Sequence, residues 1–160
     1  MAGMDANDIT IEVLELADAA DDAVLGAFAR LIPLLSTSAP IPDLDRIERV
    51  LGHPGNTVFA ARTRDAERRI LGLLTLVRIE LPTGTEARVE DVVVDDAARG
   101  LGLGRALVIA ALAAAAKQGA RYVDLTSAPR RVAARRLYQN LGFEQRETGV
   151  FRHRLDDYRS

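Results

Sequence analysis

Apolar and polar residues alternate over Ile9–Leu14, with Ile9, Ile11 and Val13 set against Thr10 and Glu12. That period of two predicts a strand. Asp18 to about Leu35 reads as a helix, with Asp18 as N-cap and Asp21 at the third position after it. Pro33 is expected to kink or end it. Ser36–Pro42 reads as loop, and Asp43–Leu51 as a short helix stopped near Gly52 and Pro54. Thr57–Arg62 and Ile70–Glu80 are apolar, β-branched runs joined by the charged turn Thr63–Arg69, which predicts an antiparallel hairpin. After a Pro82-Thr83-Gly84 turn, Ala87–Val94 reads as a central strand. Leu101–Gln118 reads as a long helix closed by Gly119, and Tyr122–Thr126 as a further strand. Pro129–Leu141 reads as a helix with Pro in its first turn and Gly142 past its end. Phe143–Glu147 and Val150–Leu155 read as two final strands. The predicted order is β-α-α-β-β-β-α-β-α-β-β: an α/β (α+β) fold on a mixed sheet. Its sheet is antiparallel at first, then joined by a right-handed βαβ crossover from Ala87–Val94 to Tyr122–Thr126.

Composition narrows this picture. With 160 residues, 48% apolar and 28% charged, the chain fits one domain over 1–160, with residues 1–8 expected as a loose tail. No cysteine is present, which removes a disulfide scaffold, a thiol nucleophile and a thiolate metal site. The histidines His53 and His153 lie far apart in sequence and do not suggest a metal centre. MAGMDANDIT lacks a basic n-region followed by an apolar run, and Ala106–Ala116 is too short and alanine-rich for a membrane span. A cytoplasmic location is expected. A net charge of −2 gives no overall attraction to nucleic acid. Acidic residues crowd the first third and arginines the last third, so a local positive patch can still meet an anionic ligand.

The chemistry concentrates where Val92-Val93-Val94 runs through Asp95 and Asp96 into Arg99-Gly100-Leu101-Gly102-Leu103-Gly104-Arg105. A strand here enters a helix through glycines. The first N–H groups of a helix lack partners and carry partial positive charge, so they suit a phosphate. Arg99 and Arg105 can add guanidinium groups. No Gly-Lys-Ser/Thr triplet is present for a Walker loop. A Gly-x-Gly-x-x-Gly/Ala dinucleotide fingerprint fails from Gly100, which meets Arg105, and from Gly102, which meets Leu107. Arg-x-x-Gly-x-Gly is matched in full by Arg99, Gly102 and Gly104. A glycine-rich turn without a ligand accounts for the loop taken alone. Leu103, Ala106, Leu107, Ala110, Ala111, Ala114 and Ala115 recur at helical spacing, and the opposite face is also largely apolar. Such a helix packs tightly and fixes its own N-terminus.

Together with Leu137-Tyr138-x-x-Leu141-Gly142-Phe143 downstream, this order of elements resembles the GNAT superfamily of N-acetyltransferases. The resemblance covers about Ile9–Leu155 and is sharpest over Ala87–Phe143. It implies acetyl-CoA as co-substrate, with its pyrophosphate on the N–H groups of Arg99–Gly104. It implies the pantetheine arm paired along Val92–Val94, whose strand splays from Tyr122–Thr126. An amine then attacks the thioester directly, and Tyr138 protonates the departing thiolate. General chemistry agrees: the attack needs an oxyanion donor, for which a backbone N–H near Val92 can serve. The leaving thiolate needs an acid and the amine a base. Glu90 and Asp91, expected on opposite faces of the strand, are the candidates for base or amine anchor, Glu90 first. Many relatives carry Asn seven residues before the tyrosine, where this chain has Arg131, a residue able to reach a phosphate or to face water.

The acceptor pocket is expected from the first two helices, the Ser36–Pro42 loop and the last hairpin near Phe151 and His153. Acidic residues there favour a cationic small-molecule amine. A protein N-terminus or lysine is an alternative acceptor. A catalytically silent acyl-CoA-binding or regulatory module is the rival from another class, and a nucleotide-binding protein a third. Neither nucleic acid nor membrane is an expected partner, and analogy admits a homodimer.

Overall fold

In a computed structural model, residues 5–155 are described. They fall into two compact units, Met1–Thr126 and Ser127–Ser160. The first unit holds strands β1 (Ile9–Leu14), β2 (Asn56–Thr63), β3 (Ile70–Leu81), β4 (Gly84–Val94) and β5 (Val123–Asp124). It also holds helices α1 (Asp22–Leu35), α2 (Leu44–Leu51) and α3 (Leu103–Lys117). The second unit holds helix α4 (Val132–Asn140). The sheet runs β1-β2-β3-β4-β5, with antiparallel pairs up to β4 and a parallel β4/β5 pair. The expected mixed α/β sheet is therefore present. Among the described residues, no helix is long and apolar enough to cross a membrane.

Several boundaries move for local reasons. Residues 1–4 of the expected tail lie outside the described residues, whereas Asp5 caps a 3-10 turn at Ala6–Asp8. Asp18 does not begin the first helix. It ends a 3-10 turn, Leu16–Asp18, and bonds back to the Glu15 N–H at 2.7 Å. Asp21 takes the N-cap, accepting from the Ala23 N–H at 2.7 Å. Pro33 sits inside the last turn of α1, which stops soon after at Leu35. Pro129 lies ahead of α4 rather than in its first turn, because Ala128 and Arg131 close a turn at 2.9 Å around it. Proline suits the second position of such a turn.

The two strands expected over Phe143–Glu147 and Val150–Leu155 carry no regular structure. An extended run becomes a strand only when a neighbour satisfies its N–H and C=O groups. Among the described residues no strand pairs with these segments, and Val150 and Phe151 stand 75% and 98% exposed.

Two apolar layers flank the sheet of the first unit. On one face Val24, Phe28 and Leu31 of α1 and Ile47 of α2 pack with Val58, Ala60, Ile70, Leu73 and Val93. On the other, Leu103, Leu107, Val108, Ala111 and Ala115 of α3 are buried. Val108 joins the face expected from the sequence, while Ala106, Ala110 and Ala114 are only half-buried. Gly72 of β3 permits the close approach of α3: a Cβ there meets the Val93 carbonyl at 3.0 Å and Leu107 at 3.2 Å. The helix is thus seated directly on the strands that lead into its own first turn.

Gly102 is the N-cap of α3 in the left-handed region, at φ +74, with open space where a Cβ would lie. Gly102→Ala therefore costs backbone strain without a clash, about 1–2 kcal/mol. Urea unfolding checks this, and an unchanged midpoint would show that α3 starts elsewhere.

Candidate acyl-CoA site on β4 and α3

Strand β4 leaves the sheet through Asp95, a 3-10 turn at Asp96–Ala98, and the glycines, then enters α3. No side chain caps α3. Its first backbone bond is Ala106 N–H to the Gly102 carbonyl at 3.1 Å, so the N–H groups of Leu103, Gly104 and Arg105 have no partner among the described residues. Gly100 (φ +85) and Gly102 both turn left-handed with open space beside them. Of the expected Arg99–Gly104 donors, the Arg99 and Leu101 N–H groups instead close turns onto the Asp96 and Ala98 carbonyls at 3.3 and 3.4 Å, which leaves the unpartnered donors one step later, at Leu103–Arg105. Arg99 is exposed and pairs with Asp96 at 2.6 Å. An exposed pair contributes only about 0–1 kcal/mol, so a phosphate can take Arg99 from it. Arg105 is exposed in the first turn, and Leu101 is half-buried.

Upstream, β4 departs from a regular strand. Leu73 pairs with Val93 and Thr75 with Glu90, so Asp91 and Val92 together face the single Leu74. This is a β-bulge. Asp91 there has φ +51, a region costly for a residue with a Cβ although Asp tolerates it better than most. The bulge breaks the strict alternation on which the opposite-face expectation for Glu90 and Asp91 rested. On the other edge, β4 pairs with β5 only at Ala87↔Val123 and Arg88↔Asp124. Residues 89–94 have no partner on that side among the described residues. The β4/β5 pairing thus ends before Val92, Val93 and Val94.

Register decides where Glu90 points. Opposed residues share a face. Glu90 lies opposite Thr75, two residues from Leu73, and so projects toward the α1/α2 layer. Arg88 projects to the same side and donates to Glu90 at 3.1 Å. The carboxylate favoured from sequence thus already has a guanidinium partner. Asp91 differs. It is solvent-accessible, yet partial desolvation raises its carboxyl above the ordinary range, the Glu90 charge adds to this, and Arg46 of α2 opposes it.

In the second unit, Tyr138 lies in α4 with its ring edge-on to Phe143, centroids 5.8 Å apart. Burial raises its phenol above the ordinary value, and the Arg131 charge pulls the other way. A raised phenol keeps its proton at neutral pH, as an acid awaiting a thiolate must. Arg131 is the exposed N-cap residue of α4 and makes no side-chain capping bond. Arg135 donates to Gln145 at 2.6 Å. His53 accepts from the Gly55 N–H at 3.1 Å, a turn contact. Among the described residues no group of His, Cys, Asp and Glu is placed to hold a metal.

Sequence reasoning missed Arg30 and Asp95. Arg30 of α1 pairs with Asp95 at the end of β4 and donates to the Ile70 carbonyl at 2.7 Å. An Asp before a glycine loop is visible in sequence, but its partner is 65 residues away.

An uncapped helix start thus follows on a bulged strand whose parallel edge is paired over only two residues. Residues 28–143 match the Acetyltransferase (GNAT) family, and the chain belongs to that family. It is thus an acyltransferase of a family that generally uses acetyl-CoA as co-substrate. Solved structures of similar fold agree. An aminoglycoside acetyltransferase from an uncultured soil metagenomic sample, in complex with trehalose, matches with TM-score 0.78 and 22% identity, over 92% of this chain and 96% of that one. An acetyltransferase of Trypanosoma brucei matches with TM-score 0.72 and 24% identity, over 91% and 99%. Glucosamine-6-phosphate N-acetyltransferase of Arabidopsis thaliana matches with TM-score 0.73 and 19% identity, over 91% and 97%. No curated protein matches the sequence.

The raised Asp91 carboxyl has a sign. Its contribution to stability is fully present below the unfolded value, about 3.9, and is lost as pH rises through the higher folded-state value. Asp91→Asn removes that loss and keeps a residue that tolerates left-handed backbone. The variant should unfold later than wild type at pH 7, by less than about 1 kcal/mol given its exposure, and match it near pH 4. Urea unfolding at both pH values checks this.

Proposed function

We propose that this protein moves an acetyl group from acetyl-CoA to a primary amine on a small molecule, by direct attack. The single observation that carries the reading is the set of unpaired N–H groups at Leu103, Gly104 and Arg105, directly downstream of the open edge of β4. The co-substrate supplies an activated acyl carbon. The N–H groups of Leu103, Gly104 and Arg105 hold its diphosphate, assisted by the side chains of Arg99, Arg105 and Arg131. The backbone of Val92–Val94 pairs with its arm, and an N–H near Val92 stabilises charge on the carbonyl oxygen as the amine attacks.

Asp91 or Glu90 anchors the ammonium or takes its proton, directly or through water. The pairing of Glu90 with Arg88 and the raised carboxyl of Asp91 favour Asp91 as proton acceptor. Tyr138 returns a proton to the thiolate. The family match runs across both compact units, which supports reading them as one catalytic domain. A cytoplasmic location, with neither nucleic acid nor membrane as partner, belongs to the same reading, which also admits a homodimer.

The fold neighbours that act on an aminoglycoside and on glucosamine-6-phosphate support a small amine acceptor. A neighbour named ribosomal-protein-alanine N-acetyltransferase, with TM-score 0.71 and 21% identity, favours the second reading, a protein N-terminus.

Release of free thiol from acetyl-CoA across a panel of aminoglycosides, amino sugars and peptides tests the assignment. Tyr138→Phe should lower kcat by at least about 10-fold while CoA affinity by calorimetry stays intact. Unchanged turnover removes Tyr138 from the mechanism. Binding of CoA without turnover on any amine favours a silent acyl-CoA-binding module.

A further inference from the structure

We propose that Arg30 is a positioning residue for the donor: from α1 it holds Asp95, and through Asp95 the loop that presents the first N–H groups of α3 to a diphosphate. The inference rests on reading that loop as the diphosphate site.

Asp95 is where the bulged strand becomes the loop, and every polar group it owns is engaged. Its N–H donates to the Leu71 carbonyl at 2.8 Å, and its C=O accepts from Ala98 at 2.9 Å. Its Oδ1 accepts from the Ala97 N–H at 3.0 Å, closing the 3-10 turn. Its Oδ2 meets the Arg30 guanidinium, whose other arm donates to the Ile70 carbonyl at 2.7 Å. Arg30 therefore ties a helix, the start of β3 and the donor loop together. The Arg30 and Asp95 side chains are 39% and 15% exposed, so this pair is less screened than the Asp96–Arg99 pair, whose side chains are 62% and 75% exposed.

The charge matters as much as the anchor. Without Arg30, the Asp95 carboxylate would stand uncompensated at the entry to a loop that must receive an anion. With Arg30, the carboxylate is neutralised while it still orders Ala97. Loss of Arg30 thus harms diphosphate binding in two ways, and loss of Asp95 in one.

The test compares Arg30→Met, Asp95→Asn and the double variant. Calorimetry with CoA should show affinity lowered about 10-fold for Arg30→Met and about 3-fold for Asp95→Asn. The double variant should be no worse than Arg30→Met alone, because Asp95→Asn removes the exposed charge. Initial rates then separate positioning from general damage. Relative to wild type, kcat/KM should fall with acetyl-CoA and hold with S-acetylpantetheine, which lacks the diphosphate. Unchanged CoA affinity in Arg30→Met, strictly additive losses, or equal losses with both donors would each overturn the inference. Should Arg30→Met fail to fold, Arg30→Lys and Asp95→Asn carry the same two-donor comparison. A wild-type protein that binds no CoA fails the functional reading itself, whereas binding that is indifferent to Arg30 fails only this inference.

Discussion

A helix that starts without a side-chain cap leaves its first N–H groups unpaired, and a glycine in place of a capping side chain costs about a few tenths of a kcal/mol. Helix α3 accepts that cost at Leu103, Gly104 and Arg105. What offsets it is burial. Leu107, Val108 and Ala111 are fully covered, and Leu103 and Ala115 nearly so. Full burial of a Leu or Val side chain is worth about 1.5–3 kcal/mol, so the buried face outweighs one missing cap. The donors are thereby held in place by packing rather than by a partner, and remain free for a ligand. The glycine loop and the end of β4 keep their places because this helix is packed directly on the sheet.

The strand before it shows the same economy. A regular β4 fully paired with β5 would have no free backbone edge. The bulge at Asp91–Val92 and the two-residue pairing with β5 instead leave residues 89–94 without a strand partner on one side among the described residues. The left-handed Asp91 lies in this deviation, and the desolvation of its carboxyl is part of the same local geometry. Strain, an unpaired edge and a raised carboxyl fall within the few residues that the proposed chemistry needs.

Charge is arranged in pairs around this backbone scaffold. Glu90 has Arg88, Asp95 has Arg30, Asp96 has Arg99. The pair at Arg99 is the more exposed and the cheaper to break, whereas the pair at Arg30 is partly shielded and is backed by the bond to the Ile70 carbonyl. A more labile and a better anchored pair thus coexist within one turn of chain.

Much was written in local pattern. The alternation of Ile9–Leu14, the capping aspartate before α2, the hairpin runs and the apolar spacing of α3 depend on neighbours close in sequence. Each of these elements formed where such signals lie. The glycine loop was legible because a left-handed N-cap needs glycine at Gly102 whatever surrounds it. Tertiary structure alone decided the rest. The β-bulge arises from register against β3, so no feature of Glu90-Asp91-Val92 announces it. The partner of Glu90 depends on which face β4 turns to α1 and α2, and that of Asp95 on a helix far away in the chain. The runs Phe143–Glu147 and Val150–Leu155 have strand-like composition but no ladder to join. A strand is a property of a pair, and composition describes only one member of it.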